Sequence, residues 1–154
     1  MLEFGRYAVE RRKRRGARKP ETFDFLGFTH IGGRSRAGQF LVHRKTIKKR
    51  LRLKLQQVKT ELRRRWHDPV PEVGQWLHRV VQGYYNYHAV PGNSDRVQSF
   101  RTAVVRLWLR TLRRRSQRRT LTWKRFAPLA TVWIPYPRVL HPYPNVRFAA
   151  THPR

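Results

Sequence analysis

Two segments within the first 43 residues alternate apolar positions with polar or small ones, which is typical of half-buried strands. Residues 2–9, LEFGRYAV, and residues 22–28, TFDFLGF, are each predicted to form a short strand, since both are rich in aromatic residues. The charged run ERRKRRGARKP between them is predicted to be a solvated loop. Glycines between Ile31 and Phe40 indicate a hairpin turn. The N-terminal part is therefore expected to be a small antiparallel sheet.

From Thr46 the spacing of apolar positions changes to that of an amphipathic helix. A long basic helix is predicted, with its apolar side formed by Ile47, Leu51, Leu55, Val58 and Leu62. Asp68 is placed to cap a second helix, whose apolar stripe consists of Val73, Trp76, Leu77, Val80, Val81 and Tyr84. After the turn VPGNSD, Ser94 or Asp95 can cap a third helix with inward positions at Val97, Phe100, Val104, Leu107, Trp108 and Leu112. Three helices with short connections predict a small bundle.

The C-terminal part begins with the basic run RRRSQRR, residues 113–119, which closes the predicted bundle. A helical turn or two is predicted at WKRFA, before Pro128. The stretch WIPYPRVLHPYPNVRF has too many prolines for a helix and predicts an extended tail anchored by Trp133, Tyr136, Tyr143 and Phe148. The predicted fold class is therefore α+β: short antiparallel strands, then a basic three-helix bundle, then an extended proline-rich tail.

Charge indicates the class of partner. Lys and Arg number 36 against 8 Asp and Glu, a formal net charge of +28, which indicates a polyanion. With 39% hydrophobic and 12% aromatic residues the chain has enough apolar surface for a core. No apolar run approaches the roughly 18 residues of a membrane span, and no signal peptide is visible, so a cytoplasmic protein without membrane contact is expected.

Few residues are candidates for catalysis or metal binding. The chain has no cysteine, which excludes disulfides, thiolate zinc sites and a cysteine nucleophile, and its seven His lack paired spacing, so neither a metal nor another cofactor is expected. Capping and helical pairing explain Glu61, Asp68, Glu72 and Asp95 without catalysis. Asp24, between two phenylalanines, is a single carboxylate and cannot hold a metal pair for phosphoryl transfer. Catalysis is therefore not expected from these residues.

Nucleic-acid binding fits the basic residues better, because cations on an ordered helix face can contact successive phosphates and release counterions. In GYYNYHAVPGN, residues 83–93, Tyr84 continues the apolar stripe and is expected in the core. Tyr85 and Tyr87 fall off the stripe and are expected to be free to meet a base, a sugar or a neighbouring helix. The candidate phosphate-binding cations are Arg44, Lys45, Lys48, Lys49, Arg52, Lys59, Arg63, Arg110, Arg113, Arg114 and Arg118.

Five segments taken together resemble one known protein family. They are FDFLGFTHI, RKTIKKRLRLKL, WLHRVVQGYYNYHAVPGN, LWLRTLRRRSQR and HPYPNVRF, and their order resembles the C-terminal part of bacterial group II intron reverse transcriptase/maturases. The similarity covers nearly the whole chain. Its most specific part is GYYNYHAVPGN followed at the right distance by LWLRTLRRRSQ.

The resemblance implies three regions. Residues 1–43 would be a remnant of the reverse transcriptase palm, with the primer-grip region at Phe25, Leu26, Gly27 and Phe28. Residues 44–118 would be the maturase-specific thumb, which in the family grips intron RNA and the template-primer duplex, and residues 119–154 a basic tail. Full-length relatives are RNA-directed DNA polymerases, but their Tyr-Ala-Asp-Asp motif would lie before residue 1. The chain is therefore expected to be a truncated relic or half of a split protein, and not itself an enzyme.

The function that this resemblance implies is that of an RNA-binding maturase module, which assists splicing and mobility of a group II intron within a ribonucleoprotein. Two alternatives stay open. One is the C-terminal subunit of a split reverse transcriptase, completed in trans by a separately encoded N-terminal half. The other is a generic basic nucleic-acid-binding protein.

Overall fold

The computed structural model describes residues 4–16, 21–35, 38–115 and 121–143 of the chain. Helix α1 precedes a three-stranded antiparallel sheet of order β1-β2-β3, and four more helices follow it. The predicted α+β class is confirmed. In chain order the elements are α1 (Ala8–Arg14), β1 (Thr22–Phe25), β2 (Phe28–Arg34), β3 (Phe40–Thr46), α2 (Lys48–Arg64), α3 (Val70–His88), α4 (Ser94–Arg115) and α5 (Trp123–Trp133).

The N-terminal segment differs from its prediction. The strand predicted at residues 2–9 is wrong where the structure describes it, since a turn at residues 5–7 leads into α1. The loop predicted for the charged run is also wrong as far as Arg14, because Glu, Arg and Lys are good helix formers. Ala8 is buried, while Arg12 pairs with Glu21 at 2.6 Å beside the sheet. The alternating pattern in residues 2–9 is too short to distinguish a strand from other structure.

The segment predicted as one strand at residues 22–28 is a hairpin. Leu26 and Gly27 form its two-residue turn, and both have positive φ angles, +46° and +85°. Such turns match the twist of the strands they join, but they normally use Asn or Gly, so a leucine here carries backbone strain. The turn places Phe28 at the start of β2, where it is 7% exposed.

The hairpin predicted between Ile31 and Phe40 is confirmed, but Gly32 and Gly33 lie in β2 and not in the turn. Strands β2 and β3 pair from Arg34 opposite Phe40 to Phe28 opposite Thr46. Because β3 continues to Thr46, it crosses the expected region boundary between residues 43 and 44. Helix α2 begins only two residues after the strand ends, so the sheet and the bundle are joined without a linker.

The three predicted bundle helices are confirmed as α2, α3 and α4, and α2 packs against α4. Each predicted stripe faces the core except at Ile47, which occupies the N-cap of α2 and lies outside the core cluster. Outer members of the stripes, such as Leu51, Trp76 and Leu107, are only partly buried. The capping role predicted for Asp68 is wrong: Pro69 occupies the N-cap of α3, and Asp68 accepts a hydrogen bond from Arg65 at 3.3 Å. A proline before the first turn starts the helix without side-chain capping.

A fifth helix replaces part of the predicted tail. Thr122 caps α5, which continues through Pro128 to Trp133, so the prediction of one or two turns ending before the proline is wrong. Pro128 is exposed, whereas Phe126 and Ala130 on either side of it are buried, so burial outweighs the hydrogen bond that proline removes. A Cβ on Gly74 would lie 2.6 Å from the Trp133 ring, so the close approach of α3 to α5 requires glycine.

Beyond α5, residues 135–140 form neither helix nor strand, and Pro135 and Leu140 are hydrogen-bonded to α3, to the residue after it and to α4. The extended conformation predicted for this tail stays a prediction. The buried Arg101 guanidinium donates to the carbonyls of Ile134 and Pro135 and stacks 3.7 Å from the Tyr136 ring. The Leu140 N–H donates to the Ala89 carbonyl at 2.9 Å. Trp133 is partly buried against the core, but Tyr136 and Tyr143 are exposed, and the predicted anchor Phe148 lies outside the described residues.

The fully buried side chain of Asn93 joins the sheet to the bundle. Its Oδ1 accepts from the Thr46 N–H at 2.9 Å, and its Nδ2 donates to the Thr46 hydroxyl at 2.7 Å and to the His88 carbonyl at 2.8 Å. Both polar ends of the amide are therefore satisfied, by Thr46 at the end of the sheet and by the nearby carbonyl of His88 at the end of α3.

We expect Asn93→Ala to lower the free energy of unfolding by about 1–3 kcal/mol, because it leaves the buried Thr46 N–H without an acceptor. Asn86→Ala is the matched control, since the Asn86 side chain is exposed and, among the described residues, bonds Gln82 on its own helix. It should change stability by about 0.5 kcal/mol or less. Urea unfolding of both variants measures the difference, and equal stability would contradict the role given to Asn93.

Candidate nucleic-acid interface

A basic groove runs between α2 and α4. Both helices contribute residues at i, i+3, i+4 and i+7, so one face of each lines the groove. Its volume is about 420 Å³. Small Ala103 keeps the floor open, and the groove is lined by Arg52, Leu55, Gln56, Lys59, Ala103, Arg106, Leu107 and Arg110.

The charge in this groove, called the α2/α4 groove below, is of one sign. Arg52, Arg106 and Arg110 are exposed, and Lys59 is half-buried. Among the described residues, no carboxylate lines the groove and none pairs with its four cations. Arg52 and Lys59 are about 10.5 Å apart along α2, a length on the order of two or three phosphates of one strand. The groove can therefore hold a polyanion along its length.

A second basic groove lies on the other side of α2, against α3. It has a volume of about 770 Å³, and its cations are Arg50, Lys54 and Arg79. Tyr84, Tyr87 and His88 form an aromatic wall. Helix α2 thus presents cations to two grooves.

The structure brings together only part of the predicted phosphate-binding set. Arg52, Lys59 and Arg110 meet in the α2/α4 groove. Lys48 and Arg63 are exposed and fall within about 60° of Arg52 and Lys59 around the α2 axis. The others lie apart: Lys49 on a neighbouring side of α2, Arg44 on β3, Arg113 and Arg114 at the end of α4, and Arg118 outside the described residues.

Lys45 has a structural partner. Its Nζ lies 2.7 Å from the Asp95 carboxylate in the first turn of α4. Burial would raise the pKa of Asp95, but the hydrogen bond and charge of Lys45 outweigh it, so the net shift is downward. Lys45 therefore contributes to the junction of β3 with α4.

Of the three tyrosines in the GYYNYH segment, one differs from its prediction. Tyr84 is buried and stacks on Phe100 with ring centroids 3.8 Å apart, which confirms its place in the core. The expectation that Tyr85 is free to meet a base is wrong: it is 2% exposed, and its hydroxyl donates to the Pro135 carbonyl at 3.0 Å. Tyr87 is 50% exposed, as predicted, and its ring borders the second groove.

The four residues of the expected primer-grip region form the β1–β2 turn. Phe25 and Leu26 are exposed, whereas Gly27 and Phe28 are buried. The Tyr87 hydroxyl donates to the Leu26 carbonyl at 2.6 Å, and Phe28 stacks on the Tyr87 ring. The turn is therefore held at one end of the second groove.

Arg106, together with Arg50, Lys54 and Arg79, belongs to the grooves but was missed at the sequence level. Arg106 lies four residues before Arg110, and Arg50 four residues before Lys54, so both pairs carry the spacing of one helix face. The sequence signal was present, but it did not show which faces would be opposed.

His88 is the most perturbed titratable group at the second groove. Burial, and secondly the charge of Arg50, lower the pKa of His88 from 6.5 to about 4. Its ring is enclosed by Phe28, Tyr84 and Tyr87, and its Nδ1 lies 3.3 Å from the Thr46 hydroxyl. His88 is therefore neutral at pH 7.

Comparison of the chain with protein-family models, with curated proteins and with solved structures finds no match. In the part of the chain that the structure describes, no three His, Asp or Glu residues are grouped to hold a metal ion. None of the helices in the described ranges is both long and apolar enough to cross a membrane.

The different burial of Tyr85 and Tyr87 predicts stability losses of different size when each is replaced by alanine. Tyr85→Ala should lower the free energy of unfolding by about 3–5 kcal/mol, since it removes a fully enclosed aromatic ring. Tyr87→Ala should cost about 1 kcal/mol, because half of that side chain is already in solvent. Thermal and urea unfolding of the two variants test this, and similar losses for both would contradict the assigned burial.

Stability should depend on His88 between pH 4 and pH 6.5. Between these pH values His88 binds a proton in the unfolded chain but not in the folded protein. The contribution of His88 to the free energy of unfolding is therefore complete above pH 6.5 and is lost as the pH falls toward 4. Because the site is half open to water, we expect about 1 kcal/mol from this group.

His88→Gln should flatten the pH dependence of urea unfolding over this window. His67→Gln, at an exposed site, is the control and should leave the dependence as in the wild type. If the pH dependence of unfolding for His88→Gln equals that of the wild type, the imidazole of His88 is not the cause of that dependence.

Proposed function

We propose that this protein is an RNA-binding module of the group II intron maturase type. One observation supports this best: three cations predicted separately from the sequence, Arg52, Lys59 and Arg110, line one groove together with Arg106. Four cations held on two packed helices, without a carboxylate among the described lining residues, form a fixed track for a phosphate backbone.

RNA is the proposed polyanion for two reasons. The segment order of the chain resembles the thumb of group II intron maturases, which in that family grips intron RNA and the template-primer duplex. In addition, the second groove combines cations with the half-exposed ring of Tyr87, and aromatic rings beside cations suit the splayed bases of structured RNA. The bound RNA would then contact α2 in both grooves, one on each side of the helix.

A second candidate is the C-terminal subunit of a reverse transcriptase completed in trans by a separate N-terminal half. The observation that favours it is the sheet, since the outer edges of β1 and β3 pair with no further strand among the described residues. Unpaired strand edges can accept strands of another chain. Polymerase activity that appears only when this chain is expressed with an upstream-encoded partner would support this candidate.

The proposed groove predicts a change in the salt dependence of RNA binding. Replacing Arg52, Lys59 and Arg110 together with Gln should reduce the slope of log K against log salt by about two to three units. The reason is that each phosphate contact contributes roughly 0.7–0.9 to that slope. Binding of a structured intron RNA, measured by fluorescence anisotropy across a salt series, gives the value.

A control variant separates the groove from net charge. Replacing Arg11, Lys13 and Arg14 with Gln removes the same charge from exposed positions on α1, away from both grooves. This control should leave the slope within about one unit of the wild type. Equal changes for both triple variants would show that overall charge and not the α2/α4 groove binds the RNA.

A further inference from the structure

A third cavity lies between α4 and α5, with a volume of about 510 Å³. Val105 and Leu109, both nearly buried, contribute apolar surface, and Thr102 contributes a hydroxyl. The indole of Trp123, at the start of α5, is 54% exposed at this cavity. A half-exposed tryptophan beside apolar walls offers a flat surface to a planar ligand.

Three arginines line the same cavity, but only two have a guanidinium available to a ligand. Arg101 is 8% exposed and donates to the carbonyls of Ile134 and Pro135. Arg106 and Arg113 are exposed, and the Arg113 Nε donates to the Leu121 carbonyl at 2.9 Å, which positions its guanidinium at the rim. Among the described lining residues there is no carboxylate, so the rim favours an anion.

Arg106 lines both this cavity and the α2/α4 groove. It therefore lies where a backbone that follows the groove would pass the mouth of the cavity. A ligand with an anionic backbone and a planar apolar side group matches the two neighbouring surfaces together.

We propose that the α4/α5 cavity binds one unpaired nucleobase of the RNA strand held in the α2/α4 groove. The base stacks on Trp123, and its flanking phosphates contact Arg106 and Arg113. This inference rests on the proposed RNA-binding function. The base must be unpaired, because a base inside a duplex has both faces stacked and cannot enter a pocket.

An apolar side chain of a protein partner fits the cavity less well. It would have to come from an acidic segment to match the arginines at the rim, whereas every nucleotide supplies both the flat ring and the negative charge. Stacking also predicts tolerance of base identity, since every base has a π-face.

Binding of two RNA probes by the full chain tests the proposal. The probes are a short single-stranded oligouridylate and a blunt RNA duplex of the same length. Trp123→Ala should weaken binding of the single strand by roughly 5- to 150-fold, the range of one lost base stack, and leave the duplex within about twofold. The salt slope should not change, because no phosphate contact is removed.

Two further variants make the result specific. Trp123→Phe keeps a ring at the site and should recover most of the single-strand affinity. Tyr143→Ala removes an aromatic side chain that is equally exposed, 54%, on the C-terminal segment, and should have no effect. In addition, photo-crosslinking of a bromouridine-substituted strand to the wild-type chain should place the crosslink at Trp123.

The outcomes separate this inference from the proposed function. If the wild type binds the single strand but Trp123→Ala binds it equally well, or the crosslink falls outside the α4/α5 cavity, the nucleobase site is overturned while RNA binding stands. If the wild type binds neither RNA in a salt-dependent manner, both the function and the site are overturned.

Discussion

The buried amide of Asn93 fixes the surface on which the proposed function depends. Thr46, its main partner, ends β3 two residues before α2 begins, and Asn93 itself immediately precedes α4. The amide therefore clamps the starts of the two helices that line the α2/α4 groove. Since helices are rigid over this length and their apolar stripes pack below the groove, a clamp at their starts sets its width along several turns. Thr46, the last residue of the sheet, is one partner in this contact. The sheet thus helps to position the α2/α4 groove, although none of its residues lines that groove.

Arginines of one helix serve opposite purposes because of their spacing. On α4, Arg101 lies on the inner side, where two carbonyls and the Tyr136 ring replace the water that its charge loses on burial. Arg106 and Arg110 lie on the outer side and face the groove. The net charge of +28 therefore overstates the cations that are available to a polyanion, and the helix period decides which of them are.

The parts of the fold that were predictable are those that a single element specifies by itself. The stripes of α2, α3 and α4 predicted their helices because burial of one face follows directly from the apolar period. The errors at Tyr85 and Leu26 arose where a second element decides the structure. Tyr85 lies off the stripe of α3, yet the segment after α5 covers it, and no pattern within α3 shows that cover. The turn at Leu26 was missed because leucine rarely takes positive φ, and here Tyr87, a residue distant in sequence, holds its carbonyl. The grooves could not be predicted for the same reason. The sequence identified basic helix faces, but it does not show which faces lie opposite each other in the fold.

The α2/α4 groove also links binding to stability. The groove has four cations and no carboxylate among its described lining residues, so the cations repel one another in the free protein. Counterions screen this repulsion, and because screening weakens as the salt concentration falls, the repulsion destabilises the free protein most at low salt. The apolar contacts beneath the groove, from Val58 and Leu62 on α2 to Val104 and Trp108 on α4, must offset that repulsion. A polyanion bound as proposed would remove the repulsion and add its own binding free energy to the folded state alone. The unmixed charge of the groove is thus unfavourable to the free chain and favourable to the complex, which is the arrangement expected of a surface selected for binding and not for solubility.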